Sequence, residues 1–300
     1  MIVLLTGGTG LVGRALCVAL KQKKHEVWVL SRGSELPEGA DRLVQANLQN
    51  LEELKQQVPL LELVDAVVHL AGESLFALRW TAGKKKKIYD SRVVGTQNLV
   101  QVFSDLKKTN LKVFLGASAI GFYGDRADEI LDESSARGEG FLADVCADWE
   151  KALTQLKIRV VSLRIGVVLS ALGGALAQML PAYRMGLGGK LGSGEQWMSW
   201  ILLSDLARLT VFCLEQNQVQ GVINAVSPQP VRQKDFARAL AEVLRRPAWM
   251  RMPAVVLQTG LGELSQLLLA SQKVSSKKIQ DCGFRFEKAN LTDALLSEIS

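Results

Sequence analysis

The octet Thr6-Gly7-Gly8-Thr9-Gly10-Leu11-Val12-Gly13 follows directly on the apolar run Ile2-Val3-Leu4-Leu5, and Leu16, Ala19 and Leu20 carry an apolar face onward at helical spacing. A run that short and that β-branched reads as a strand, so the chain opens as strand, glycine turn, helix. Gly7 allows the tight turn, Gly10 lets backbone approach a pyrophosphate, and Gly13 lets the helix pack close to the sheet. Phosphates would rest where the first N–H groups of the helix, at Leu11 and Val12, point outward. The plainer alternative is a glycine turn that only joins two elements. The strands that follow favour a dinucleotide, with Thr6, Gly7, Gly10, Leu11, Val12 and Gly13 as its first contacts.

Strands are expected at 26–30, 42–46, 65–70, 112–115 and 159–163, with helices at 51–58, 85–106 and 141–156 between them. That alternation predicts an α/β fold, a Rossmann-type doubly wound parallel sheet covered on both faces. After Leu169 the composition changes. Gly173-Gly174 and the loop 186–194 are too rich in glycine for element interiors. Ser204-Asp205 reads as an N-terminal cap for a helix through Leu214, and 221–226 as a strand returning to the main sheet. A helix at 235–244 is broken off before Pro247 and Pro253. The division expected is residues 1–169 with 203–226 as the dinucleotide side, and 170–202 with 227–300 as a smaller, discontinuous substrate side.

With 300 residues, 48% of them hydrophobic, the chain can bury a large core. No stretch approaches a membrane span, and the expectation is a cytoplasmic protein with a small-molecule substrate and neither a membrane nor a nucleic-acid partner. The net charge of +6 and the cluster Lys84-Lys85-Lys86-Lys87 read as a solvated helix face. Cys17, Cys146, Cys213 and Cys282 share no ligand spacing, and His25 and His69 are the only histidines, which disfavours a zinc or Ser-His-Asp site. Cys17 and Cys213 read as core residues.

The second strand ends in Ser31-Arg32, where an acid would hold the adenosine ribose hydroxyls. An arginine accommodates a 2′-phosphate there and a serine adds a donor, so NADP(H) is expected over NAD; the alternative is an exposed loop arginine.

The opening Thr-Gly-x-x-Gly-x-x-Gly, His69-Leu70-Ala71-Gly72, Gly95-Thr96, Ser118 with Tyr123-Gly124, and Arg164 together resemble the extended short-chain dehydrogenase/reductase family. Longer strings narrow the resemblance to its YfcH-like branch of epimerase-family proteins, NAD-dependent epimerase/dehydratase-like chains with a C-terminal domain of unknown function. They include Arg79-Trp80-Thr81, Gly121-Phe122-Tyr123-Gly124-Asp125, Trp149-Glu150, Trp200-Ile201, Asn224-Ala225-Val226-Ser227-Pro228 and Ala270-Ser271-Gln272-Lys273-Val274. The likeness runs nearly end to end. It implies an NADP(H)-binding oxidoreductase or epimerase-like protein acting on a small carbonyl or hydroxyl compound, with Leu70, Ala71, Gly72, Ser31, Arg32 and Arg164 beside the cofactor. It also implies a Tyr-x-x-x-Lys pair, in which lysine lowers the tyrosine pKa and tyrosine moves a proton.

That pair is missing. Four residues after Tyr89, Tyr123 and Tyr183 stand Val93, Ala127 and Leu187. Counted back from Glu150, the tyrosine position falls on Leu142 and the lysine position on Cys146. Neither can do the usual work. Ser118, at a strand's carboxyl end, and Tyr123, in the same loop, are the candidate catalytic residues. Their plainer readings are a strand-end cap and a packed phenol. Arg92 stands where extended members commonly have asparagine, and Arg92 and Arg164 either grip an anionic substrate or tie loops by salt bridges. Trp197 and Trp200 are candidates for an apolar lid or for interdomain packing. A catalytically silent NADP(H)-binding regulator remains the alternative function.

Overall fold

The computed structural model describes residues 1–75 and 79–299. From the first residues run β1 (Ile2–Thr6), α1 (Leu11–Gln22), β2 (Glu26–Ser31), β3 (Arg42–Gln45), α2 (Leu51–Gln56), α3 (Val58–Leu61) and β4 (Ala66–His69). Next come α4 (Ala82–Tyr89), a π-helical turn (Asp90–Val94), α5 (Gly95–Asp105), β5 (Val113–Ala119), a 3-10 turn (Ile120–Tyr123), β6 (Ile130–Leu131), α6 (Phe141–Leu153) and β7 (Arg159–Ile165). The following stretch holds β8 (Val167–Leu169), α7 (Gly174–Arg184), β9 (Gly189–Leu191), β10 (Trp197–Met198), β11 (Trp200–Leu202), α8 (Leu203–Glu215) and β12 (Gly221–Ala225). Then follow β13 (Val231–Arg232), α9 (Gln233–Leu244), β14 (Met250–Met252), α10 (Ala254–Leu261), a 3-10 turn (Gly262–Ser265), α11 (Gln266–Leu269), β15 (Lys273–Val274), α12 (Lys277–Asp281) and α13 (Leu291–Ile299).

Seven strands form one parallel sheet in the order β12-β7-β5-β4-β1-β2-β3. The winding reverses between β1 and β4, the place where open α/β sheets receive ligands. Because all strands run the same way, their carboxyl ends lie along one edge. Register sets Thr6 beside His69, Ser118 beside Arg164, and Arg164 beside Asn224 on that edge. Alternate residues of each strand feed opposite faces. Val3 and Leu5 pack with Leu16 and Leu20 of α1 and Leu206 and Leu209 of α8, while Leu4 packs with Leu99 and Phe103 of α5. Cys17 and Cys213 lie in the first of these cores, as expected.

A further core joins Leu169, Leu176, Leu180, Trp200, Phe236, Leu240 and Leu295, from α7, α9, α13 and the short strands between them. The sequence reading did not anticipate α7, which lies between two glycine loops and holds Pro181 inside it. The expected cap at Ser204-Asp205 is corrected. α8 begins at Leu203 with no side-chain cap, and Asp205, 1% exposed, accepts from the backbone N–H groups of Glu287 (3.0 Å) and Lys288 (3.2 Å). Asp205 thus ties the C-terminal segment to the sheet side, where Ile279 and Phe284 join the α1/α8 core. The expected helix over 85–106 is divided by the π-turn.

Candidate functional site

The carboxyl ends of β1 and β4 build the glycine turn. Gly7 has φ +73°, and a Cβ there would stand 2.9 Å from Ala71 N and from the Leu70 carbonyl carbon, so the turn closes directly on the β4 exit. A Cβ on Gly8 would be 2.8 Å from the Val29 methyls. Gly13 meets a different neighbour from the one expected. Its Cβ would come within 2.1 Å of Gly7 O, so this glycine lets α1 close on the turn rather than on the sheet. Gly10 behaves otherwise. It is the N-cap of α1, no side chain caps the helix, and a Cβ would meet only Gly7 O, at 3.3 Å. An uncapped helix end beneath open space fits a pyrophosphate.

Under the turn lies a closed polar chain. Ala71 N–H donates to Thr6 Oγ1 (3.2 Å), which meets His69 Nδ1 (2.7 Å), and His69 Nε2 meets Thr96 Oγ1 (2.8 Å). Thr96 in turn donates to Arg92 O. That order sets the tautomer. Thr6 donates to Nδ1, and Nε2 carries the hydrogen. Burial drives the His69 pKa down to about 4, so the ring is neutral.

At the end of β2, Ser31 Oγ accepts from Gly33 N–H (3.1 Å). Arg32 is exposed, and among the described residues its side chain makes no hydrogen bond or ion pair. The Glu73 carboxyl lies below its ordinary range, chiefly through its hydrogen bond to Lys84 (2.7 Å), with smaller contributions from the charges of Lys84, Lys87 and Arg32. Cations therefore gather at this rim. Leu70, Ala71 and Gly72 form the adjoining loop between β4 and Glu73.

Ser118, Tyr123 and Arg164 converge, but inward. Ser118 is 3% exposed and its hydroxyl donates to Glu150 Oε1 (2.7 Å). Arg164 grips both Glu150 oxygens at 2.8 Å, and its Nη1 donates to Tyr123 Oη (3.0 Å). Tyr123 is 0% exposed and donates to Asn224 Oδ1 (2.7 Å). Asn224 passes the connection to Ser275 O, while Gln272 Nε2 donates to Ile120 O and Gly124 O, clamping the loop after β5 to the C-terminal segment. Tyr123 is thus packed with its hydroxyl held by Asn224 and Arg164, and Arg164 ties β7 to Glu150 of α6.

On α6, Leu142 and Cys146 face Gly121: from an ideal Gly121 Cβ, Leu142 Cβ is 3.6 Å and Cys146 Sγ 3.9 Å away. Burial, with the charge of Glu150 behind it, raises the Cys146 thiol to about 11, so it is not a thiolate near neutrality. Tyr89, absent from the sequence expectations as a contact, donates to Asp148 (3.0 Å). Only the fold joins that pair, because the π-turn after α4 sets which way Tyr89 and Arg92 face.

Arg92 lies in that π-turn. Its Nη1 donates to Glu73 O (2.9 Å), its guanidinium carbon stands 3.1 Å from an ideal Gly72 Cβ, and it is 5.4 Å from the centre of the Trp149 ring. Of the lid candidates, Trp200 is fully buried in the α7/α9 core. Trp197 lies between Arg232 (4.1 Å) and Lys273 (4.5 Å) and donates to Asp128 (2.8 Å), which ties the loop before β6 to the smaller region. Among the described residues no group of His, Cys, Asp and Glu could hold a metal ion, and no helix is long and apolar enough to cross a membrane.

A parallel sheet with this turn at its switch point defines a Rossmann-type nucleotide-binding fold, and residues 3–225 match the model of the NAD dependent epimerase/dehydratase family, to which the chain belongs. Residues 252–297 match a domain of unknown function, DUF1731. The chain is 35% identical to the epimerase family protein Mb2239 of Mycobacterium bovis, over 98% of this chain and 96% of that one. It is 37% identical to the chloroplastic epimerase family protein SDR39U1 homolog of Arabidopsis thaliana, over 98% and 86%. The human epimerase family protein SDR39U1, solved with NADPH, superposes with TM-score 0.90 at 32% identity, covering 99% of each chain.

Proposed function

We propose that the chain is an NADP(H)-binding, epimerase-like oxidoreductase of the extended short-chain type, acting in the cytoplasm on a small carbonyl or hydroxyl compound. The uncapped N-terminus of α1 beside the bare Gly10 carries the reading. Arg32, exposed at the end of β2 and without a side-chain hydrogen bond or ion pair among the described residues, supports the phosphorylated cofactor, as does the NADPH in the human relative. Thr6, Gly7, Gly10, Leu11, Val12 and Gly13 would hold the pyrophosphate end, Ser31 and Arg32 the adenosine phosphate, and Leu70, Ala71 and Gly72 the path toward the nicotinamide. Residues 1–169 with 203–226 would form the cofactor side, and 170–202 with 227–300 the substrate side.

A reduced nicotinamide supplies a hydride to a carbonyl carbon. Ser118 is proposed to hydrogen-bond the substrate oxygen, with Glu150 as the alternate partner that keeps the hydroxyl in place. Tyr123 and Arg164 would act as positioning residues, their polar ends being held by Asn224 and Glu150. Melting with each nucleotide tests the cofactor: NADPH should raise Tm more than NADH, and Arg32→Ala should erase the difference. Equal shifts in the parent protein would overturn the NADP(H) reading. NADPH absorbance followed across a carbonyl panel tests the reaction, with Ser118→Ala reducing any turnover. The second reading, a silent NADP(H)-binding regulator, draws on the apolar Leu142 and the buried thiol of Cys146 in place of the usual pair. Persistent silence across the panel would favour it.

A further inference from the structure

Among the described residues Arg92 forms no ion pair, and its side-chain hydrogen bonds go to backbone carbonyls. Glu73 is the carboxylate whose charge reaches it, and Glu73 is itself paired with Lys84 (2.7 Å); the carboxylates of the elements packed nearby are likewise engaged, Glu150 with Arg164 (2.8 Å), Asp148 with Tyr89 (3.0 Å) and Asp90 with Lys86. Among the described residues, the side-chain bonds of Arg92 are to carbonyl oxygens alone, Glu73 O at 2.9 Å and Ile88 O at 3.5 Å, both from Nη1. Among the described residues the remaining N–H groups of its fork have no acceptor. Burial lowers the Arg92 pKa, and the groups that act in its favour are Cys146, itself a neutral thiol, and Glu73. Directly beneath it, Trp149 Nε1 is a buried donor with no acceptor among the described residues.

Arg92 is half-buried, and an unpaired charge drawn partly out of water is one that proteins match with a partner or a ligand. The position says which. Arg92 touches Gly72 of the cofactor loop on one side and lies close to Cys146, the neighbour of Ser118, on the other. We infer that Arg92 is a substrate-binding residue, and that the substrate carries a small oxyanion, carboxylate or phosphate, next to its reacting carbonyl or hydroxyl group. A guanidinium fork matches either group with two parallel hydrogen bonds. The inference rests on the NADP(H)-dependent reading above and narrows its substrate class.

Its test is thermal melting of the NADPH-loaded protein with acetate, oxamate or phosphate, each against chloride at equal ionic strength. At least one of the three raises Tm further in the parent protein. The same anion gives no added shift in Arg92→Met and a reduced one in Arg92→Lys. Lys112→Gln, removing an exposed cation paired with Asp65 away from this edge, retains the full shift. A preference for oxamate and acetate points to carboxylate substrates, and a preference for phosphate to phosphorylated ones. No added shift with any of the three, or an equal shift in Arg92→Met, overturns the inference. The NADPH shift, read in the same experiment, keeps the cofactor reading separate: its loss in the parent protein would fail that reading, whereas its persistence without an anion effect fails only the role of Arg92.

Discussion

Arg164 and Arg92 lie on the same side of the sheet, yet one belongs to a closed region and the other to an open one. Arg164 has 4% of its side chain exposed and holds a bidentate partner, a phenol and two aromatic faces. Arg92 has carbonyl oxygens and a ring. The same contrast separates the Thr6–His69–Thr96 chain, in which each side-chain group is matched, from the end of α1 and the exposed Arg32, where donors are left over. A matched interior fixes geometry; leftover donors and cations at one edge form a site for an anion.

Substitutions in the closed region are expected to move stability and those in the open region to move ligand binding. The largest effect belongs to Arg164→Ala, which strands the Glu150 carboxylate and should cost about 3–5 kcal/mol in urea unfolding. His69 comes next. Its pKa is about 4 in the fold against 6.5 for a free imidazole, so the unfolded chain takes the proton first as pH falls. The resulting stability is complete above about pH 6.5 and is lost toward pH 4, a change on the order of 3 kcal/mol. Unfolding at a series of pH values should show that slope, and His69→Gln should flatten it. Gly13→Ala, forcing a methyl toward Gly7 O, should lose about 1–3 kcal/mol and weaken NADPH binding together with it. Arg32→Ala should weaken NADPH about tenfold, or ~1.4 kcal/mol, while leaving NADH and the unliganded Tm unchanged. The smallest change is for Arg92→Met without ligand, which should hold or slightly raise Tm. A fall in Tm matching that of Arg164→Ala would erase the contrast between the two arginines.

The sequence carries the fold and the glycine turn because both depend on local pattern. Alternating apolar runs and helical faces predict the parallel sheet, and the return of 221–226 to it is visible as an apolar strand. The glycine turn is legible because backbone geometry restricts residue choice within eight positions. The smaller region is less legible. α7 is hidden between glycine pairs, and the short ladders β8–β11 and β9–β14 pair segments more than 30 residues apart with three residues each. Asp205 has a cap's chemistry but serves the C-terminal segment, a contact no local pattern encodes. The sequence placed Arg92 and Arg164 together as anion-grippers or loop ties. Only the π-turn and the register of Arg164 beside Ser118 separate them. Sequence-distant partners such as Asn224 and Gln272 likewise reveal how Tyr123 and its loop are held.

The most direct test is a crystal structure of the chain with NADPH and oxamate. The pyrophosphate is expected against the N–H groups that open α1, the adenosine phosphate against Arg32, and the oxamate carboxylate across the Arg92 fork, with Arg164 still on Glu150. Oxamate bound at Arg164, or Arg92 turned onto a protein carboxylate with the cofactor in place, would contradict it.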